Sequence, residues 1–83
     1  MNKRRLALGT QNMVGQRVTE ARLKMNMKQK DLLARLQVKG IDISIPALSL
    51  LEGQKRPVSD FELKALSEIL KVDVNWLLGM DRF

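Results

Sequence analysis

Apolar residues recur every three or four positions along most of the chain, which is the period of an α-helix with one buried face. The first such block covers residues 12–25, and its apolar stripe consists of Val14, Val18, Ala21 and Met25. The second block covers residues 29–36, and its apolar face consists of Leu32, Leu33 and Leu36. Polar and charged residues fill the positions between, so the pattern predicts two amphipathic helices.

Residues 37–43 interrupt this helical pattern. Gly40 is a helix breaker, and Val38, Ile41 and Ile43 alternate with polar residues around it. Such alternation is also typical of a short β-strand. We expect an irregular turn with these apolar side chains directed inward, because the chain offers no second strand with which a strand here would pair.

The third helix is indicated by its first residues. Ser44 is a favourable N-cap. Pro46 is tolerated in the first turn, because the N–H group that proline lacks would have no hydrogen-bond partner within the helix there. The helix covers residues 44–52, and Gly53 is expected to end it. Leu48 and Leu51 supply its core-facing side. Leu50 is then either a further core residue or an exposed side chain that contacts a DNA groove or another protein.

Two more helices follow after a loop. Ser59 and Glu62 have the spacing of a capping box and begin a helix that extends to about residue 70. Asp73 caps a last short helix at residues 75–78. The apolar residues that this part offers to the core are Phe61, Leu63, Leu66, Ile69 and Leu70, with Trp76 as a lid. The chain is therefore predicted to be all-α, a compact orthogonal bundle of five short helices.

The charge of the chain is unevenly distributed. Its 83 residues carry a net charge of +6, to which residues 1–40 contribute +8 and residues 41–83 contribute −2. This asymmetry suggests one face for a polyanion and another for a partner, although many small basic proteins bind no polyanion. We interpret residues 1–11, with Lys3, Arg4 and Arg5, as a flexible basic arm that either is solvated or follows nucleic-acid phosphates.

The residue types that the chain lacks disfavour several function classes. Without Cys or His there are no disulfides, thiolate metal sites, Cys nucleophiles or His bases. No glycine-rich phosphate loop occurs, and the carboxylates are placed singly at helix caps, so we expect no enzyme, no metal and no cofactor. No apolar run approaches the ~20 residues of a membrane span, and apolar residues 6–8 are too few for a signal peptide. We expect a cytoplasmic protein with no membrane partner.

Four segments carry a resemblance to a known family. They are VGQRV at 14–18 with AR at 21–22, QKDLLA at 29–34, LSLLEGQKRP at 48–57, and NWLLG at 75–79. In this order and spacing, over residues 12–79, the chain resembles the lambda-repressor-like helix-turn-helix family (the Cro-repressor or xenobiotic-response-element type). The third segment is one residue shorter before its basic pair than the family pattern. Residues 80–83 are then a short C-terminal tail.

The resemblance implies a DNA-binding domain in which residues 29–36 are the first helix of the motif and residues 44–52 the recognition helix. Such a helix enters the major groove with its N-terminal residues at base edges. The groove-facing positions would be Ser44, Ile45, Pro46, Ser49 and Leu50. Gln29 would reach a phosphate, as would Lys55 and Arg56 after the recognition helix. The family turn has about four residues, and the longer turn here, residues 37–43, would either shift the recognition helix or add a contact through Lys39.

Most of these groove-facing residues are apolar, whereas Arg, Asn and Gln are the usual readers of base edges. Specificity would then depend on thymine methyl groups, Gln29, water and DNA shape. The basic residues elsewhere are either phosphate contacts or an ordinary charged surface; these are Arg17, Arg22, Lys28, Lys30 and Arg35. For Arg22 the resemblance offers another role, which is an internal pair with Glu52.

The function expected from these points is a sequence-specific transcription regulator, most simply a repressor of bacterial or phage type. It would bind double-stranded DNA as a homodimer on an inverted repeat, with half-sites about 34 Å apart. Met80 and Phe83 are candidates for the dimer contact. The alternative is a protein-interaction module on the same fold, such as an antitoxin or an anti-repressor partner, which the apolar recognition helix favours. A regulatory protein partner is a further candidate, because no ligand-sensing domain fits in this length.

Overall fold

Five helices make up the part of the chain that the computed structural model describes, residues 11–80. They are α1 (Gly15–Lys24), α2 (Gln29–Val38), α3 (Ile45–Glu52), α4 (Asp60–Leu70) and α5 (Val74–Leu77). No strand occurs between residues 11 and 80, so the all-α prediction is confirmed and the strand alternative is wrong. The predicted basic arm, apart from residue 11, and Phe83 lie outside the described residues.

Side-chain hydrogen bonds fix where α1 and α4 begin. The Oδ1 atom of Asn12 accepts the N–H groups of Val14, which is the N-cap of α1, and of Gly15 at 2.9 and 2.8 Å. At α4, Ser59 Oγ accepts the Glu62 N–H at 3.1 Å, and the Glu62 carboxylate accepts the Ser59 N–H at 2.9 Å. The capping box that the sequence predicts is thereby confirmed.

The core lies between the inner faces of α1 to α4, and α5 closes one side of it. Contacts join α1 to α3 and α4, α2 to α3 and α4, and α4 to α5. The largest fully buried side chains are Val18, Leu32, Leu36, Leu48, Leu51, Leu66 and Leu77. Trp76 is partly buried and packs against this core, which confirms its predicted place over the bundle.

Helix α2 is longer than predicted and changes the role of Val38. The helix ends at Val38, two residues beyond the predicted end, and Val38 is 88% exposed. Leu32 and Leu36 define the buried face of α2, and position 38 lies about 200° around the helix from position 36. The prediction that Val38 packs inward is therefore wrong, whereas Ile43 is buried and Ile41 partly buried, as predicted.

Phe61 is 76% exposed, so the prediction that it belongs to the core is wrong. The buried residues of α4 are Ala65, Leu66, Ile69 and Leu70. Phe61 lies in the first turn of α4, about 100° around the helix from the centre of that buried face. The apolar pattern of the sequence does not show that Phe61 lies on the exposed side of α4.

Helix α3 ends at Glu52 with Gly53 as its C-cap, as predicted. Gly53 has a φ of −82°, and Gln54 takes the left-handed conformation with a φ of 63°. The N–H of Gln54 donates to Leu51 O at 3.0 Å, and the N–H of Lys55 donates to Leu50 O at 2.8 Å. These are the two bonds of a Schellman motif, in which Gly53 is the C-cap and Gln54 the left-handed residue that follows it.

Arg17 joins α5 to α1. Its Nη1 donates to the carbonyl oxygen of Trp76 at 2.8 Å, and its guanidinium lies over the indole ring, 4.8 Å from the ring centroid. A helix of four residues is not stable by itself in water, so α5 depends on contacts of this kind. The sequence did not predict this role for Arg17. None of the helices between residues 11 and 80 has the length and apolar content to cross a bilayer.

Candidate nucleic-acid interface

The predicted recognition helix, α3, follows a turn at residues 39–44. Gly40 has a φ of 85°, and the Ile41 N–H donates to Leu36 O at 2.9 Å, so the chain turns sharply at the end of α2. Ser44 then caps α3, since its Oγ accepts the N–H of Ala47 at 3.2 Å. The turn is longer than the four residues that the resemblance implies, as predicted.

Helix α3 has one buried side and one exposed side. Leu48 and Leu51 are fully buried. The exposed side, which we call the recognition arc, consists of Ile45, Pro46, Ser49 and Leu50. At 3.6 residues per turn these positions cover an arc of roughly 140°. Leu50 is 48% exposed, so of its two alternatives the exposed one is confirmed. The N-cap Ser44 is exposed at the start of the same helix.

The side chain of Gln29, the first residue of α2, lies along one edge of the recognition arc. Its Oε1 accepts the hydroxyl of Ser49 at 3.2 Å, and its Nε2 donates to the Glu52 carboxylate at 3.1 Å. Gln29 is thus oriented from two sides by α3. One amide N–H remains available, and a phosphate is a suitable acceptor for it.

Glu52, the last residue of α3, is the centre of a buried polar network. Its carboxylate accepts Arg22 Nε at 2.9 Å, Arg22 Nη2 at 3.1 Å, Thr19 Oγ1 at 2.9 Å and the Gln29 amide. Arg22 Nη1 donates to Met27 O at 2.8 Å. The Arg22 and Glu52 side chains are 11% and 6% exposed, so the internal pair is confirmed. The network fixes the end of α3 against α1 and the start of α2.

A second set of contacts holds the same end of α3. Asn12 Nδ2 donates to Leu51 O at 3.0 Å and to Arg56 O at 2.8 Å, and Gln54 Nε2 donates to Asn12 O at 2.9 Å. Gly15 lies so close that a Cβ on it would be 2.2 Å from Leu51 O. The N-terminus of α1 therefore meets the C-terminus of α3, where the opposite ends of two helix dipoles attract.

The basic residues predicted to contact phosphate differ in their surroundings. Lys55 is exposed immediately beyond α3. Arg56 is partly buried, and its Nη1 lies 3.4 Å from the Glu62 carboxylate, so part of its charge is used within the protein. The basic residues exposed on or just before α2 are Lys28, Lys30 and Arg35.

Lys39 is directed toward α4. Its Nζ lies 2.8 Å from Oε1 of Glu68. The hydrogen bond from Lys39, and next the charges of Lys39 and Lys64, lower the pKa of Glu68 below its ordinary value. The structure therefore brings Gln29 and residues 44–50 together and places Lys55 and Arg56 beyond the end of α3. Lys39 is engaged with α4 instead.

The sequence did not predict that three residues, Asn12, Thr19 and Gln54, position α3. Asn12 had a usable signal, because Asn ahead of an apolar helical block is a preferred N-cap. Thr19 and Gln54 had no local signal, since their partners lie 33 and 42 residues away along the chain. Only the fold brings these groups together.

Comparison of the chain with family models, with curated proteins and with solved structures gives no match. Between residues 11 and 80, no group of three or more acidic side chains is arranged to hold a metal ion.

Proposed function

We propose that the protein is a sequence-specific DNA-binding transcription regulator that inserts α3 into the major groove. The observation that carries the proposal is the exposed recognition arc, whose helix is fixed from behind by the buried Arg22–Glu52 pair. An exposed helix face held in a defined orientation is what base readout requires, because base edges are discriminated by position. The proposal includes no catalytic step.

The charge around the arc is consistent with a polyanion. Gln29 borders the arc, and Lys55 lies beyond the C-terminal end of the helix. Of the seven Lys or Arg among residues 11–40, Arg22 and Lys39 are paired with Glu52 and Glu68, whereas Lys28, Lys30 and Arg35 are exposed on or just before α2. Such a surface favours association with phosphates at low salt.

We further propose that the protein acts as a homodimeric repressor on an inverted repeat in the cytoplasm of a bacterial or phage-infected cell. Two copies related by a two-fold axis would place two α3 helices about 34 Å apart. Met80 is 60% exposed after α5 and is a candidate for the dimer contact.

The test is selection from a random duplex pool at two salt concentrations, followed by sequencing of the bound fraction. We expect an enriched inverted repeat whose half-sites are about one helical turn apart. Lys55→Ala should weaken binding to all sequences alike and reduce the salt slope by about one. Leu50→Ala, within the recognition arc, should instead change the enriched sequence. Lys71→Ala, at the exposed end of α4, is the matched lysine control and should leave binding unchanged.

The second candidate is a protein-interaction module, and the specific observation in its favour is the apolar exposure of Ile45 and Leu50. This candidate predicts that no sequence is enriched and that the remaining binding falls away at the higher salt concentration. The same selection therefore separates the two functions.

A further inference from the structure

The polar groups near the recognition arc are largely committed to the protein itself. Ser44 Oγ accepts the Ala47 N–H, and the Ser49 hydroxyl donates to Gln29. The Gln29 amide in turn donates to Glu52. A Gln side chain reads adenine by presenting its carbonyl and its NH₂ group together, and here the carbonyl and one N–H are already occupied.

What remains on the arc is apolar. Ile45 and Leu50 are 38% and 48% exposed, and Pro46 is exposed between them. Pro46 and Leu50 are four residues apart and thus neighbours on one face of α3, separated by roughly 6 Å along the helix axis. That separation is slightly less than two base-pair steps of about 3.4 Å each.

The major-groove edges of the bases carry one apolar substituent, which is the methyl group on C5 of thymine. An Ile or Leu side chain pressed against any other edge would remove water from donors and acceptors without replacing their hydrogen bonds, which is unfavourable. Contact with a methyl group removes apolar surface from water on both partners, which is favourable.

We propose that the recognition arc reads C5-methyl groups of pyrimidines, so that thymine, or 5-methylcytosine at the same position, carries the sequence preference. This inference depends on the proposed function. It adds the chemical group that is recognised and predicts that cytosine methylation within a half-site strengthens binding where Ile45, Pro46 or Leu50 faces the modified base.

The probe is the duplex enriched by the selection, synthesised with thymine and with deoxyuridine at each half-site position. Deoxyuridine removes the methyl group and leaves every hydrogen-bonding group unchanged. We expect about a fourfold loss of affinity for each contacted methyl group, from the ~0.8 kcal/mol per buried CH₂ group. A second pair of duplexes carries cytosine or 5-methylcytosine at the contacted position, and the methylated form should bind about fourfold more tightly.

The variants assign the effect to the arc. For the base position that the changed residue contacts, the Leu50→Asn or Ile45→Asn variant should bind the thymine duplex and the deoxyuridine duplex with equal affinity. Both side chains are partly exposed, and circular dichroism verifies that the variants fold. Phe61→Ala is the matched control, because Phe61 is an exposed apolar residue on α4, and it should retain the full preference for thymine.

The outcomes separate this inference from the proposed function. A selected duplex that binds equally well with deoxyuridine, or equally with cytosine and 5-methylcytosine, overturns methyl readout and leaves a specific DNA-binding protein. Retention of the full thymine preference at every half-site position in both Asn variants and in Pro46→Ser also overturns it. A selection that enriches no sequence overturns the inference together with the proposed function and favours the protein-interaction module.

Discussion

Replacement of Gly15 by Ala tests the contact that joins the start of α1 to the end of α3. A Cβ on Gly15 would lie 2.2 Å from Leu51 O and 2.7 Å from Glu52 O. Both neighbours are backbone atoms at the end of a helix and cannot rotate away. In an ordinary helix the same change is stabilising by about 1 kcal/mol, because Ala has the higher helix propensity. The sign of the effect therefore distinguishes close packing from propensity.

The magnitude follows from the overlap. The shorter distance is about 1.2 Å below the 3.4 Å at which ordinary van der Waals contact begins, so α1 and α3 must separate. Overpacking of this kind typically costs about 1–3 kcal/mol, and separation also strains the hydrogen bond from Asn12 Nδ2 to Leu51 O. We expect a net loss of about 2 kcal/mol in the free energy of unfolding. For a domain of this size that corresponds to a fall in Tm of roughly 8–16 °C.

The assay is thermal and urea unfolding followed by circular dichroism at 222 nm. Gly53→Ala is the matched control, because Gly53 has a negative φ and its added Cβ would be 3.3 Å from Ser49 O. We expect its stability to be unchanged or raised by up to about 1 kcal/mol. A Gly15→Ala variant as stable as the wild type, or an equal loss of unfolding free energy in both variants, would refute close packing of α1 on α3 at Gly15.

Two further predictions concern charged groups. Glu52→Gln leaves the Arg22 guanidinium largely buried and without its carboxylate partner. The free energy of unfolding, measured in urea, should therefore fall by about 3–5 kcal/mol. A loss below about 1 kcal/mol would mean that the pair is not effectively buried. The lowered pKa of Glu68 means that its carboxylate stabilises the fold at pH values above its ordinary pKa, and that this contribution is lost as the pH falls through the lowered value. Lys39→Met should return the pKa of Glu68 toward its ordinary value in an NMR titration, and an unchanged pKa would contradict the assigned cause.

The features that the sequence predicted well are those decided by neighbouring residues. The capping box at Ser59 and Glu62 and the N-cap at Ser44 need only atoms within one helical turn, and both are present. The internal pair of Arg22 with Glu52 is not decided by neighbouring residues, and its prediction came from the resemblance to a known family. The apolar spacing was sufficient to give the number and order of helices.

The features that the sequence did not predict depend on tertiary contacts. An apolar pattern does not say which of several apolar residues is left outside, so Val38 and Phe61 were placed incorrectly. The left-handed residue after α3 is Gln54, which the sequence does not single out because its buried contact with Asn12 O joins residues 42 positions apart. The candidate site was located as a surface, and its DNA-reading role stays a prediction.

The stacking of Arg17 over Trp76 gives the protein an optical reporter of its own folding. Trp76 is the only tryptophan in the sequence, so the intrinsic fluorescence excited at about 295 nm arises from a single position in α5. Its emission follows the docking of α5 on α1, whereas circular dichroism follows the helices as a whole. Coincident transitions by the two signals would establish that the last helix is released in the same cooperative step as the others.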